Sequence, residues 1–254
     1  MSPLVWIVGD WEHDDFREAL AWLDSGTSRA LFPTPDAAVK APPPSNPHAI
    51  LLVQSRPAQF SRREVERLHA AAPLARLVAL TGPWCEGEGR SGHPWPGVTR
   101  VPWKSWRSRL AIELGLRQPR TTSESQRIEE SVLAATRERR FDGQAHIYTE
   151  SRLTFDTLED VLVQLGMRAT WRSAGEQPAP PQADVVLLDG WDQVPAVPSR
   201  KSILLLHFPR PQDDARAAQL GIAAVLAQPM LLADLAETLA RLLPSQSANR
   251  GSAA

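Results

Sequence analysis

Residues 183–190 constrain the fold of this chain most, because they contain a short, uninterrupted apolar run at 185–188 that leads directly to Asp189 and a glycine. A run of this length without polar alternation is typical of a strand buried on both faces of a parallel sheet. Further apolar runs follow at 202–207 and 221–229, and an amphipathic stretch covers 231–243. This alternation predicts a parallel α/β sheet with Asp189 at its carboxyl edge.

The first half of the chain shows the same alternation. Apolar runs at 4–9 and 49–53 predict strands, a further strand is predicted at 76–80, and the half closes with the segment 97–102. Helical spacing is found at about 61–72 and 105–115. A Pro-rich stretch precedes the central run in each half, at 40–47 and 177–182. The repeated layout predicts two doubly wound, flavodoxin-like parallel-sheet domains that arose by a degenerate internal duplication.

The same pattern sets the expected domain boundaries. We expect α/β domains at 1–117 and 143–244, a helical linker at 118–142 and a disordered tail at 245–254. The linker is polar, with a thin apolar stripe of Ile128, Val132 and Ala135. Such a stripe fits a helix that packs on one domain, and it also fits a homodimer that pairs through 122–139.

Composition limits the classes of partner. The formal net charge is −1, which gives no electrostatic reason to expect nucleic acid or an anionic membrane. Cys85 is the single cysteine, so one chain can form neither a disulfide nor a cysteine-built zinc site. The first residues lack the features of a signal peptide, and no apolar stretch reaches the roughly 20 residues that span a bilayer. We therefore expect a cytoplasmic protein.

The second half resembles the receiver domain of response regulators. The resemblance implies that Asp189 is the phosphoryl acceptor and that Glu150 is one of the acidic residues that hold Mg²⁺. It places His207 where receivers carry Ser or Thr, and Gln228 where they carry Lys before a proline. Phosphoryl transfer depends on positioning and charge neutralisation, so the loss of the lysine weakens the site. We expect Mg²⁺ only if this pocket is active, and no other cofactor.

The first half also resembles a receiver domain, but the functional residues missing from it differ from those missing from the second half. Asp10 and Glu12 follow its first apolar run, and Thr81 ends the fourth predicted strand, where a hydroxyl belongs. The acceptor position, however, is Gln54, whose amide cannot form an acyl phosphate. The resemblance therefore implies an eroded pocket in a tandem pair of degenerate receiver domains.

A long loop at 81–97 is the strongest rival site in the sequence. Trp84 and Trp95 lie in this loop, and Trp103 and Trp106 follow it. Tryptophan is enriched at the energetic centres of interfaces, so these four residues are a candidate partner surface. The alternative is that Trp103 and Trp106 fill core space beneath the loop.

The same loop carries potential metal ligands. Cys85, Glu86, Glu88 and His93 could each donate to a cation. Their spacing matches no zinc signature, so we expect no metal site here.

Three classes of function remain open. The chain has no glycine-rich nucleotide motif, nucleophile elbow or H-E-x-x-H metalloprotease motif. His207 beside Asp189 could be an acid/base pair of a two-lobed enzyme that binds a nucleotide or small molecule, although a structural histidine is the simpler interpretation. A second alternative is an active phosphoreceiver that uses Asp189. We expect instead a non-enzymatic signalling or scaffold protein that acts through protein partners, since no output domain follows the second half.

Overall fold

A computed structural model describes residues 2–40, 46–88, 95–116, 136, 139–173, 183–196 and 198–243. The chain divides into two compact units, Met1–Arg120 and Thr121–Ala254. The predicted linker at 118–142 lies mostly outside the described residues, as does the pairing of two copies through 122–139. The tail at 245–254 lies wholly outside them.

The first unit is a five-stranded parallel sheet with helices on both faces. Its strands are β1 (Leu4–Gly9), β2 (Ser28–Phe32), β3 (Ala49–Gln54), β4 (Arg76–Thr81) and β5 (Thr99–Pro102), in the order β2-β1-β3-β4-β5. Its helices are α1 (Arg17–Asp24), α2 (Pro35–Lys40), α3 (Arg62–Ala71) and α4 (Trp106–Glu113). All four strand pairs are parallel.

The second unit repeats this arrangement. Its strands are β6 (Gln144–Tyr148), β7 (Arg168–Arg172), β8 (Val185–Asp189), β9 (Ser202–Leu206) and β10 (Ala224–Ala227), in the order β10-β9-β8-β6-β7. Its helices are α5 (Arg152–Gln164), α6 (Pro211–Gln219) and α7 (Leu232–Leu242). Both sheets place the first strand of the unit between the second and third, which is the flavodoxin-like order. The predicted fold class is confirmed.

The apolar runs become central strands because both faces of each sheet are covered. Every residue of β3 is buried, as are the first four residues of β8. Each sheet separates two hydrophobic clusters, one on each face. Burial of one large aliphatic side chain stabilises a fold by about 1.5–3 kcal/mol, so the central strands hold each unit together. Within the described ranges, no helix has the length and apolar character needed to cross a membrane.

Strand register places equivalent residues side by side at the carboxyl edge of each sheet. Gly9 pairs with Val53 in the first unit, so the next residues, Asp10 and Gln54, are neighbours. Tyr148 pairs with Leu188 in the second unit, so Thr149 and Asp189 are neighbours in the same way. The two edges are the candidate sites, because open α/β sheets bind ligands beyond the carboxyl ends of their strands.

Candidate functional site

The second unit holds Asp189 between two neutral donors. The hydroxyl of Thr149 donates to Asp189 Oδ2 at 2.6 Å, and the amide Nε2 of Gln228 donates to Oδ1 at 3.1 Å. The backbone N–H of Gln228 donates to the Leu206 carbonyl at 2.7 Å, which anchors the end of β10 to β9. Among the residues that the structure describes, no cation forms an ion pair with Asp189. The carboxylate is therefore held by a hydroxyl and an amide.

Two residues that the sequence assigned to this pocket form no bond with Asp189 in the structure. Glu150 and His207 are exposed, and neither forms a hydrogen bond or ion pair within the described part of the chain. Thr149, one residue before Glu150, contacts Asp189 because β6 ends at Tyr148 and turns the following side chain toward β8. His207 follows the last residue of β9, and Leu205 is the register partner of Asp189. The acid/base pair of His207 and Asp189 therefore does not form.

Burial and hydrogen bonds hold both the backbone and the hydroxyl of Thr149 in place. The residue is fully buried, and its carbonyl accepts the indole N–H of Trp171 at 2.7 Å. Its Oγ1 also accepts the backbone N–H of Ser151 at 3.1 Å, and Ser151 caps α5 through the N–H of Thr154. The donor to Asp189 is thus built into the start of a helix.

The turn after Asp189 depends on a glycine. Gly190 has a φ of +100°, and a Cβ at this position would lie 2.6 Å from Asp192 Oδ1. Trp191 follows, donating its indole N–H to Asp213 at 3.2 Å and stacking under the Arg216 guanidinium at 4.0 Å from the ring centroid. These contacts hold the Trp191 indole against α6.

In the first unit, the acceptor position belongs to a buried network. The Nε2 of Gln54 donates to the two carboxylate oxygens of Glu88 at 3.0 and 3.3 Å. Arg100 Nη2 donates to Glu88 Oε2 at 2.6 Å and to Gln54 Oε1 at 3.3 Å. The backbone N–H of Ala58 donates to Glu88 Oε1 at 2.8 Å. Gln54, at the carboxyl end of β3, therefore holds a carboxylate from the 81–97 loop.

These contacts set the ionisation of Glu88. Burial by itself raises the pKa of the Glu88 carboxyl. The hydrogen bonds from Ala58, Arg100 and Gln54 outweigh burial, so the pKa lies below its ordinary value. Glu88 is an anion in its network at neutral pH.

Of the other side chains predicted for the first-unit pocket, that of Asp10 is hydrogen-bonded in the described part of the structure, whereas those of Glu12 and Thr81 are not. Asp10 accepts a short hydrogen bond from the hydroxyl of Ser55, whose backbone N–H donates to Gln59 Oε1 at 2.9 Å. Glu12 is exposed and Thr81 is buried, and neither side chain forms a hydrogen bond within the described ranges. The structure brings Asp10 and Gln54 to one edge, whereas Glu12 takes no part in either network.

The four tryptophans do not form one surface. Trp84 is 79% exposed, whereas Trp95, Trp103 and Trp106 are buried. Trp103 and Trp106 instead fill core space, because they belong to the hydrophobic cluster on one face of the sheet. Trp95 packs against Phe60 on the opposite face, so only Trp84 is available to a partner.

No metal centre is found among the described residues, where no group of three His, Cys, Asp or Glu side chains could hold an ion. His93 lies outside that part of the chain. Cys85 is buried and donates its thiol to the Gln54 carbonyl at 3.6 Å. Burial, reinforced by the nearby Glu88 charge, raises the pKa of the Cys85 thiol to about 11.

Comparison with known proteins gives distant structural matches only. No protein-family model matches the chain, and no curated protein matches it. The chain is similar to two solved structures described as two-component system response regulator/GGDEF domain proteins. In each case the identity is 18% and the TM-score 0.32, with 94% of this chain and 99% of the other covered. It is also similar to glucosamine-6-phosphate deaminase from Thermotoga maritima, at 11% identity and a TM-score of 0.26, with 96% and 84% covered. The fold assignment therefore rests on strand order.

Proposed function

We propose that this chain is a non-enzymatic, cytoplasmic signalling or scaffold protein whose two degenerate receiver domains act through protein partners. The observation that carries the proposal is that the polar side chains at both strand edges are hydrogen-bonded to the chain's own side chains. Thr149 and Gln228 engage both oxygens of Asp189, and Gln54 is bonded to Glu88. Phosphoryl transfer requires an acceptor carboxylate together with a cation and an acidic cluster. The first strand ends in an amide instead of a carboxylate, and among the described residues no cation or second carboxylate is bonded to Asp189.

Charge explains why Asp189 is a poor acceptor. An acyl phosphate adds about two negative charges, which a lysine and Mg²⁺ neutralise in an active receiver. The nearest donors here are a hydroxyl and an amide, which carry no net charge. We expect Mg²⁺ to bind weakly or not at all beside a single carboxylate.

Exposed apolar side chains near the same edges support a role in protein contacts. Trp84 follows β4, Phe208 follows β9 and Leu153 lies in the first turn of α5, just after β6. They are 79%, 81% and 77% exposed, respectively. Each lies at the end of its own domain where the carboxyl ends of the strands emerge, a position at which it could be the apolar centre of a partner contact.

The chemical test is phosphorylation of the full chain by acetyl phosphate and Mg²⁺, followed by intact-mass spectrometry. We expect no phosphoryl adduct on the wild type or on Asp189→Asn. Gln228→Lys restores a cation beside the acceptor and is the sensitised control, so an adduct on this variant shows that the assay works. An adduct on the wild type that is absent from Asp189→Asn would support the phosphoreceiver alternative and overturn the proposal.

The interaction test is proximity labelling in cells with the full chain. We expect Trp84→Ser or Phe208→Ser to lose specific labelled partners, while both variants keep the wild-type unfolding midpoint. Leu74→Ser is the matched control, because Leu74 is 88% exposed but precedes β4 at the opposite edge of the sheet. Identical partner sets for all four proteins would contradict a role for these edges. A saturable response to a metabolite in a thermal-shift screen would favour the two-lobed enzyme.

A further inference from the structure

The Glu88 network has the composition of an anion site that already contains its ligand. Three donors converge on one carboxylate: the N–H of Ala58, the amide of Gln54 and the guanidinium of Arg100. We call these three groups the cradle. A backbone N–H, an amide and a guanidinium are the groups by which proteins bind carboxylates and phosphates.

The cradle is held in place by contacts that do not involve Glu88. Gln54 ends the central strand β3, is fully buried and also donates to the Arg56 carbonyl at 3.1 Å. Arg100 lies on β5, donates to Gln54 Oε1 and stacks on Trp95 at 5.6 Å from the ring centroid. Its side chain is 22% exposed, so the guanidinium is largely removed from water. We expect Gln54 and Arg100, fixed in this way, to keep their geometry when the carboxylate is absent.

The carboxylate, in contrast, comes from another segment. Glu88 lies 34 residues beyond Gln54 and follows the short turn Pro83–Cys85 after β4. Its side chain is 16% exposed, so a small anion in the same position would keep some access to solvent. The carboxylate can therefore be removed by mutation of Glu88 without changing a residue of a strand.

We propose that the cradle is an oxoanion-binding site whose resident ligand is the chain's own Glu88, and that formate, acetate or phosphate binds there once that side chain is removed. A tethered carboxylate has an effective concentration of millimolar or more, so it outcompetes dilute external anions in the wild type. The strand ends in the uncharged Gln54 and supplies no carboxylate for Arg100. Glu88 supplies one instead, so the mostly buried Arg100 charge is compensated. The inference is independent of the signalling role proposed above, because it concerns only donor geometry in the first unit.

The test is thermal unfolding of the full-length Glu88→Ala protein in increasing formate, acetate or phosphate, with chloride added to keep ionic strength constant. We expect the midpoint of Glu88→Ala to lie several degrees below that of the wild type, because Arg100 loses its partner. Added anion should raise this midpoint saturably, since a ligand that binds only the folded state stabilises it. Formate and phosphate distinguish a preference for a planar carboxylate from a preference for a tetrahedral anion.

Three controls separate binding at the cradle from general salt effects. Wild type and Glu66→Ala should show only the small, unsaturated rise common to all proteins in phosphate. Glu66 is the matched residue, because it is an exposed glutamate paired with Arg62 at 2.7 Å on α3. The double variant Glu88→Ala/Arg100→Gln lacks the cation and should not respond beyond these controls.

The proposal is overturned if Glu88→Ala responds no more than Glu66→Ala, or if the double variant responds equally. Should Glu88→Ala be unfolded without added anion, the same titration is followed by far-ultraviolet circular dichroism. Saturable recovery of the native signal then supports the cradle. Failure to recover at any concentration of the three anions contradicts it.

Discussion

The carboxyl edges of the two sheets share one backbone arrangement, but they hold a carboxylate in different ways. In the second unit, Asp189 remains as the carboxylate at the end of the central strand and is held by neutral donors. In the first unit, the strand ends in Gln54, and a carboxylate arrives from a loop together with Arg100. The comparison teaches that a carboxylate is hydrogen-bonded by the chain's own side chains at both edges, but among the described residues only the first edge pairs such a carboxylate with a cation.

The electrostatic consequence differs between the edges. At the first edge, an ion pair with little access to solvent makes either partner costly to remove. At the second edge, loss of one hydrogen bond from an uncharged donor leaves the other in place and costs less. The predictions below test this difference, beginning with the largest effect.

Cys85 borders the first edge and reports whether that network is closed. Its thiol pKa of about 11 compares with an ordinary value of 9.0, so its thiolate fraction at pH 8 is about 100-fold below that of an ordinary cysteine. We expect alkylation by iodoacetamide to be slower by at least about 100-fold in the native protein than in urea. A native rate within tenfold of the unfolded rate would show that the loop over Gln54 is open.

Arg100→Gln tests the ion pair itself. Loss of the guanidinium leaves the Glu88 carboxylate without its cation in a site where both side chains are mostly buried. We expect the free energy of unfolding to fall by about 2–3 kcal/mol, measured by urea denaturation. Arg62→Gln removes the cation of an exposed pair on α3 and should change stability by less than about 0.5 kcal/mol. Equal effects of the two variants would remove the contrast between the edges.

Thr149→Val is the corresponding change at the second edge. Valine keeps the shape of threonine but removes the hydroxyl, which donates to Asp189 Oδ2 and accepts the backbone N–H of Ser151. We expect a loss of about 1–2 kcal/mol in urea denaturation, because Gln228 still satisfies the other oxygen. A loss larger than that of Arg100→Gln would reverse the proposed order of the two edges.

We expect the smallest effect on stability from His146, a residue of the second unit. Burial, with repulsion from Arg172 added, lowers the pKa of this histidine below its ordinary value of 6.5. The unfolded chain therefore binds the proton more readily, so this contribution to stability is complete above pH 6.5 and is lost as pH falls below it. We expect His146→Leu to weaken the pH dependence of the urea midpoint between pH 7.5 and 5.5. An unchanged pH dependence would contradict this assignment.

The sequence predicted the central strands well and one edge strand not at all. β1, β3 and β8 are visible as apolar runs because both of their faces are covered. β2 escaped notice because it lies at the sheet edge with mostly exposed or half-buried residues, so it carries no such run. Burial therefore sets how readily a strand can be recognised.

The sites were predicted in part for a related reason. Asp189 and Gln228 could be assigned because they end strands that the sequence locates. Thr149 was missed in favour of its neighbour Glu150, since one residue of strand register decides which side chain reaches the pocket. The pairing of Glu88 with Arg100 has no signal in the sequence, because a loop conformation alone brings the two together.

The most direct test of the central claim is a titration of the full chain with beryllofluoride and Mg²⁺, observed through the indole N–H resonances by NMR. Beryllofluoride mimics a phosphoryl group on an acceptor aspartate, and Trp191 lies two residues beyond Asp189. With both strand edges occupied by the chain's own side chains, we expect no saturable shift in the wild type or in Asp189→Ala. A saturable shift in the wild type that disappears in Asp189→Ala would show that the second domain is still a phosphoryl switch.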